Sequence, residues 1–161
     1  MTLLSRKADY ALLILAYLHG RSEGANARVI ADRYSLSRSF VANILKELAG
    51  KGYLSSHRGV KGGYFMLRPA REISVADLLA TIDENFQLTV CSDHHKPTSE
   101  ICTLESTCPV KGPLAAIHHR LMSVLRDVTL ADLFDRNEPV GRAAANLLPL
   151  LTIPVPESPP C

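Results

Sequence analysis

The chain has 161 residues, 47% of them apolar and 21% charged, with a net charge of +2. That balance fits a globular chain of one domain, or one small domain with an extension, and sets aside disordered and collagen-like classes. The net charge conceals an asymmetry: residues 1–72 carry 12 Lys and Arg against 5 Asp and Glu, whereas the remainder carries 6 against 11. A basic first half suits a module that grips phosphates and loses affinity steeply with salt, and the acidic second half is expected to stay off nucleic acid.

In chain order, Arg6 and Lys7 ahead of an apolar run at 10–18 imitate a secretory leader. Asp9 breaks the start of that run, and His19-Gly20-Arg21 makes a poor cleavage site. The run is also far short of the roughly 20 residues a membrane span needs, so the expectation is a cytoplasmic protein with no membrane partner. The segment reads instead as a buried first helix capped by Ser5 and ended by Gly20. Apolar nearly all round, it calls for packing partners on two sides, its own domain and a second subunit. After a polar loop, Asn26 caps a short helix at 27–34 with Val29 and Ile30 inward and Arg28 outward. Ser35 and Leu36 then make a turn.

The stretch 35–67 predicts a helix, a turn, and two short strands around a glycine-rich loop. Ser37 is placed to cap the helix, its hydroxyl accepting from an amide one turn on. Phe40, Val41, Ile44, Leu45 and Leu48 repeat at helical spacing, leaving Arg38, Ser39, Ala42, Asn43 and Lys46 on the other faces. Lys51 and Gly52 stop it. Strands at 53–57 and 64–67 flank Arg58-Gly59-Val60-Lys61-Gly62-Gly63. A basic, glycine-rich hairpin tip behind a helix that presents small polar groups is how a winged helix-turn-helix holds double-stranded DNA. Candidate groove contacts are Ser39, Phe40, Ala42 and Asn43, with Arg38 and Lys46 on phosphate. Arg58 and Lys61 serve the wing, and Arg28, Ser37 and Gly59 are further candidate DNA contacts.

Past the wing, Ser74 and Asp77 open a helix on which Val75, Leu78, Leu79 and Ile82 share one face. Periodicity fails between 84 and 112. A further helix is predicted from Pro113 to about Val128, with Leu114, Ile117, Leu121, Val124 and Val128 at the alternating spacing of a coiled-coil seam. A seam that short needs support from other contacts, so it reads as a homodimer contact or as a core helix. Thr129 and Asp132 open a last short helix at 130–134. The division is therefore a winged domain at 1–84, a cysteine-containing loop at 85–112, a dimerisation helix and short helix at 113–136, and a proline-rich tail at 137–161 that ends in Cys161. The fold class is mainly α with a small β-hairpin wing.

The loop carries Cys91, Cys102 and Cys108, separated by ten and then five residues, together with His94 and His95. Thiol trios in a polar loop suit metal or redox chemistry. Soft thiolates fit iron–sulfur clusters or zinc, but the spacing matches neither a zinc ribbon nor a ferredoxin run, and three unrelated thiols remain open.

The segment KGYLSSHRGVKGGYFML at 51–67 and ISVADLLATID at 73–83 resemble the Rrf-type family of bacterial winged-helix regulators. The resemblance spans about the first five-sixths of the chain, and the wing residues Arg58, Gly59, Gly62, Gly63 and Tyr64 carry its most specific part. Many family members have glycine where this chain has Ser35. The resemblance implies a [2Fe-2S] or [4Fe-4S] cluster held by Cys91, Cys102 and Cys108, with the longer first gap leaving its type open. For the fourth ligand, the nitric-oxide-sensitive branch uses an aspartate at the position of Asp9, supplied by the other subunit. In this sequence that competes with an ion pair from Asp9 to Arg6 or Lys7. The cluster-regulator branch uses a histidine where this chain has Lys111, which makes His94 or His95 the alternative. His118 and His119 are placed on the surface or at an interface. Ala42 stands where the cluster-regulator branch has a glutamate used in site selection, so the operator sequence is not carried over.

The resulting expectation is a homodimeric regulator, a repressor by type, on a palindromic operator whose half-sites lie about 34 Å apart. Its affinity would follow the state of the cluster. Alternatives are the same fold with a zinc or thiol switch, or a cluster carrier or redox enzyme. Against an enzyme, there is no C-x-x-C pair, no phosphate-cradling loop before a helix and no nucleophile–base pattern.

Overall fold

The computed structural model describes residues 4–59, 62–83, 86, 104 and 106–135. The element order is α1 (Arg6–Leu18), α2 (Ala27–Tyr34), α3 (Arg38–Gly50), β1 (Leu54–His57), β2 (Gly63–Met66), a 3-10 turn (Ala70–Glu72), α4 (Val75–Ile82), α5 (Lys111–Asp127) and α6 (Leu130–Phe134). This is a helical winged domain with one antiparallel hairpin, as the sequence leads one to expect.

Local polar chemistry starts most of these helices. Ser5 Oγ accepts from the Ala8 amide at 3.2 Å, Asn26 Oδ1 from Val29 at 3.0 Å, and Ser74 Oγ from Asp77 at 3.0 Å. Thr129 and Asp132 form a reciprocal capping box. Ser37 departs from this pattern. It occupies the N-cap of α3 but makes no bond to a helix amide, because its hydroxyl pairs with the Ser39 hydroxyl at 2.9 Å instead.

The strands pair in the register Leu54↔Met66 to His57↔Gly63, each beginning one residue away from its expected start. A backbone bridge ties this hairpin to the loop before α2: Ala25 N–H donates to Tyr64 O at 3.0 Å, and Tyr64 N–H donates to Ala25 O at 2.8 Å. A second bridge joins Ser74 to Thr129. There Val75 N–H donates to Val128 O, and Leu130 N–H to Ile73 O, both at 2.9 Å. The junction between α5 and α6 is thereby stitched to the start of α4.

One core gathers Ile14, Leu15 and Leu18 of α1, Ile30 of α2, Leu45 and Leu48 of α3, Leu78, Leu79 and Ile82 of α4, and Leu130 of α6, all fully buried. α1 touches α3, α4 and β2, so two of its sides are covered from within one protomer. Two expectations are corrected. Val29 is 46% exposed and Ala31 is buried beside Ile30, because α2 rests on α3 along a single narrow stripe. α5 starts two residues early, at Lys111, and has no buried residue. Val128, its expected last seam position, is its C-cap and lies in the core. Leu121, Met122 and Leu125 are the α5 residues that lean on the core, and Ile117 is 54% exposed.

Ser35 closes α2 in the left-handed conformation, at φ 54° and ψ 39°, where a side chain costs about 1–2 kcal/mol. Ser35→Gly is therefore expected to leave stability unchanged or raise it by up to about 1 kcal/mol, relief of strain being partly offset by added freedom of the unfolded chain. Ser35→Val is expected to lower it by about 1–2 kcal/mol. Chemical denaturation of the two variants checks the order, and a Val variant as stable as the Gly variant would contradict it.

Candidate nucleic-acid interface and cysteine segment

The interface is built on α3, whose Val41, Ile44, Leu45 and Leu48 are buried and thereby turn Arg38, Ser39, Asn43 and Lys46 outward, all exposed. Phe40 and Ala42 are half-buried. Phe40 packs edge-on against Tyr10 with ring centroids 5.3 Å apart, so its ring serves the base of the helix as much as its outer face. Ser37, also exposed, pairs with Ser39 as noted.

Arg38 is held by Asp32, with Nη2 3.0 Å and Nε 3.3 Å from Oδ1. Arg28 reaches the same carboxylate at 3.7 Å. Asp32 thus gathers two candidate phosphate contacts from α2 and α3, a role the sequence reading missed. The i,i+4 spacing from Arg28 to Asp32 was visible, but the approach of Arg38 depends on how α2 packs on α3.

At the wing, Arg58 and Gly59 are exposed, and the tip closes through Gly62 N–H to Gly59 O at 2.8 Å. Lys61 lies outside the described residues. Gly59 has φ +120°, open to glycine alone at no strain, and a Cβ on Gly62 would collide with the His57 carbonyl. A polar hollow of about 440 Å³ sits at the wing root, lined among others by Asn26, Ser56, His57 and Arg58. From sequence Asn26 reads only as a helix cap and Ser56 and His57 only as strand residues, because the hollow forms only when the loop before α2 meets the hairpin.

The cysteine segment falls mostly outside the described residues: Cys91, Cys102, His94 and His95 all lie there, as does Cys161. Cys108 is a free, half-buried thiol. Its carbonyl accepts from Lys111 N–H at 3.4 Å, at the first turn of α5. Among the described residues no three His, Cys, Asp or Glu side chains converge. Asp9 is exposed on the first turn of α1 and forms no ion pair among the described residues. The suggested pairing with Lys7 does not occur, because Lys7 bonds Glu47 of α3 at 3.0 Å. His119 is exposed and His118 half-buried, with its Nδ1 lacking a hydrogen-bond partner among the described residues.

A helix-turn-helix with an outward basic third helix and a glycine-tipped wing defines a winged-helix DNA-binding protein. The chain belongs to the Rrf2 family, described as iron-dependent transcriptional regulators, whose model matches residues 4–136. It is a DNA-binding transcriptional regulator and not an enzyme. Among solved structures, it resembles CymR (YrzC) of B. subtilis, described as the global cysteine regulator. That match has 27% identity and a TM-score of 0.65, covering 86% of this chain and all of the other. IscR of T. potens matches at 25% identity with a TM-score of 0.61, covering 84% of this chain and 88% of the other. The oxidised form of S. aureus CymR shares the fold at 24% identity and a TM-score of 0.64, covering 86% of this chain and all of the other. Among the described residues, no helix is long and apolar enough to cross a membrane.

Asp32 competes with phosphates for Arg28 and Arg38. Asp32→Ala is expected to tighten operator binding roughly two- to fivefold at low salt, the range set by an exposed ion pair, and to steepen the salt dependence. A fluorescence-anisotropy titration across salt concentrations reads both. Weaker binding would instead make Asp32 the group that aims Arg38 at the DNA.

Proposed function

We propose that the chain acts as a homodimeric repressor whose operator affinity follows the state of an iron–sulfur cluster held by Cys91, Cys102 and Cys108. The observation that carries the pairing is α5, a 17-residue helix with no residue buried in its own protomer and with Ile117 outward. A second copy is the partner that a seam of Leu114, Ile117 and Val124 fits. Two copies would present two α3 helices to a palindromic site, with Ser37, Ser39, Phe40, Ala42 and Asn43 at the groove. Arg28, Arg38 and Lys46 would meet phosphate, and Arg58, Gly59 and Lys61 would form the wing contact.

Support for the cluster comes from donor chemistry and from likeness. Thiolates are the donors that iron–sulfur clusters take, four ligand positions to a cluster, so three cysteines supply all but one; the matching family is described as iron-dependent, and IscR is among the similar structures. Asp9, exposed and without an ion pair among the described residues, is available as a fourth ligand across a dimer, and His94 or His95 is the alternative. The second reading, a zinc or thiol redox switch on the same cysteines, is favoured by the likeness to the cysteine regulator CymR. The site of action in either case is the cytoplasm.

Anaerobic purification distinguishes these readings: a brown protein with visible absorption and a Mössbauer signal is expected, and a colourless protein with stoichiometric zinc would favour the rival. Operator affinity is expected to differ at least about tenfold, roughly 1.4 kcal/mol, between cluster-loaded and cluster-free dimer. Equal affinity in the two states would remove the switch. For the pairing, Ile117→Asp is expected to leave helical content and unfolding of the protomer unchanged, since the side chain is exposed there. In sedimentation the variant should run as a monomer with weakened operator binding, and a dimeric variant would refute the α5 interface.

A further inference from the structure

An open groove of about 580 Å³ runs between the end of α1, the root of the wing and α6. Leu18, Phe65, Met66, Ala70 and Ala131 give it an apolar floor. Arg21 and Arg71 line it too, and neither forms a salt bridge among the described residues. Asp135 stands at another edge, its carboxylate 3.1 Å from His19 Nε2. The chain therefore leaves the described fold at the lip of the groove.

Beyond that point the sequence departs from the family match, which ends at residue 136. Within the remainder, 147–156 reads LLPLLTIPVP, ten residues without a charge, followed at once by Glu157. The sequence places prolines at 149, 154 and 156, and proline's fixed φ leaves such a stretch less entropy to lose on docking. Eleven intervening residues, 136–146, reach up to about 35–40 Å, ample for a return to a groove that begins at residue 135. A tether that short supplies an effective concentration in the millimolar range, enough to fill a weak site. We propose that 147–156 seats in this groove of its own protomer, with Glu157 toward Arg21 and Arg71. An apolar segment then covers an apolar floor, the acidic residue meets guanidinium groups that have no carboxylate partner among the described residues, and the wing root gains a brace against α6.

The test uses the full chain and a Leu148→Asp/Leu151→Asp variant, compared by hydrogen exchange. Amides of 65–71 and 130–135 are expected to exchange at least roughly threefold faster in the variant, with those of α2 and α3 unchanged. A synthetic peptide of residues 146–157 is expected to restore the protection in the variant and to change nothing in the parent, where the groove is already filled. Equal exchange in parent and variant would overturn the proposal, as would a peptide that protects some other surface. Protection that grows with the concentration of the parent would assign the groove to the tail of a second copy and overturn seating within one protomer.

Discussion

Two backbone hydrogen bonds between Ala25 and Tyr64, 3.0 and 2.8 Å long, set the angle between the wing and the helices that read DNA. A hairpin of two four-residue strands is marginal by itself. The bridge gives it part of a third strand, and the next residue, Asn26, caps α2, so wing and helix-turn-helix leave from one point of the backbone. Close approach is what this costs in sequence freedom. A Cβ at Gly24, already at φ +62°, would stand 2.6 Å from Tyr64 O, and one at Gly63 would stand 2.9 Å from the carbonyl of Ala25. Several glycines of this region are therefore demanded by backbone contact, and the hairpin strands are held against the loop before α2.

The second stitch, between Ser74 and Thr129, does the same for the other end of the molecule. Both residues are N-caps, so α4 and α6 start side by side and Val128 is drawn into the core. α5 then runs away from that anchor for 17 residues, about 25 Å, packing on the described core through Leu121, Met122 and Leu125. Polar ties elsewhere are weaker and more directional. Lys7 to Glu47 at 3.0 Å and Ser5 N–H to Asp83 at 3.1 Å fasten the first turn of α1 to α3 and to the end of α4. An exposed ion pair contributes at most about 1 kcal/mol, against about 1.5–3 kcal/mol for each buried leucine. Such ties orient elements that the core already holds.

Whatever depended on neighbours in sequence was legible in the sequence. Ser5, Asn26, Ser74 and Thr129 announce helix starts because their hydroxyl or amide partners lie three residues on. Ser37 has the same credentials and still fails, since Ser39 offers its hydroxyl a closer partner. The exposed face of α3 could be read from the apolar repeat opposite it. Val29 could not, because eight residues are too few for periodicity to choose between adjacent positions on a stripe. Periodicity also said that one side of α5 is apolar without saying what covers it, and the core took Leu121, Met122 and Leu125 while leaving Ile117 outside. Asp32 beside Arg38, and Asn26 beside His57, are products of tertiary packing with no local signature.

The cysteines show the same division between pattern and place. Their spacing acquires meaning only beside the family pattern, yet the position of Cys108 is informative by itself. It sits three residues ahead of Lys111, at the end of α5 farthest from the stitched anchor at Val128. On the proposed reading, a group bound there would act on the far end of a long helix whose other end is stitched to α4. On that reading a small displacement at Cys108 would change how α5 meets a second copy, and with it the separation of two recognition helices, while the groove contacts of each α3 would stay as the core sets them. Regulation through spacing asks for little energy, because a palindromic site tolerates little error in the distance between its two readers, and a shift of about 1.4 kcal/mol is already tenfold in occupancy.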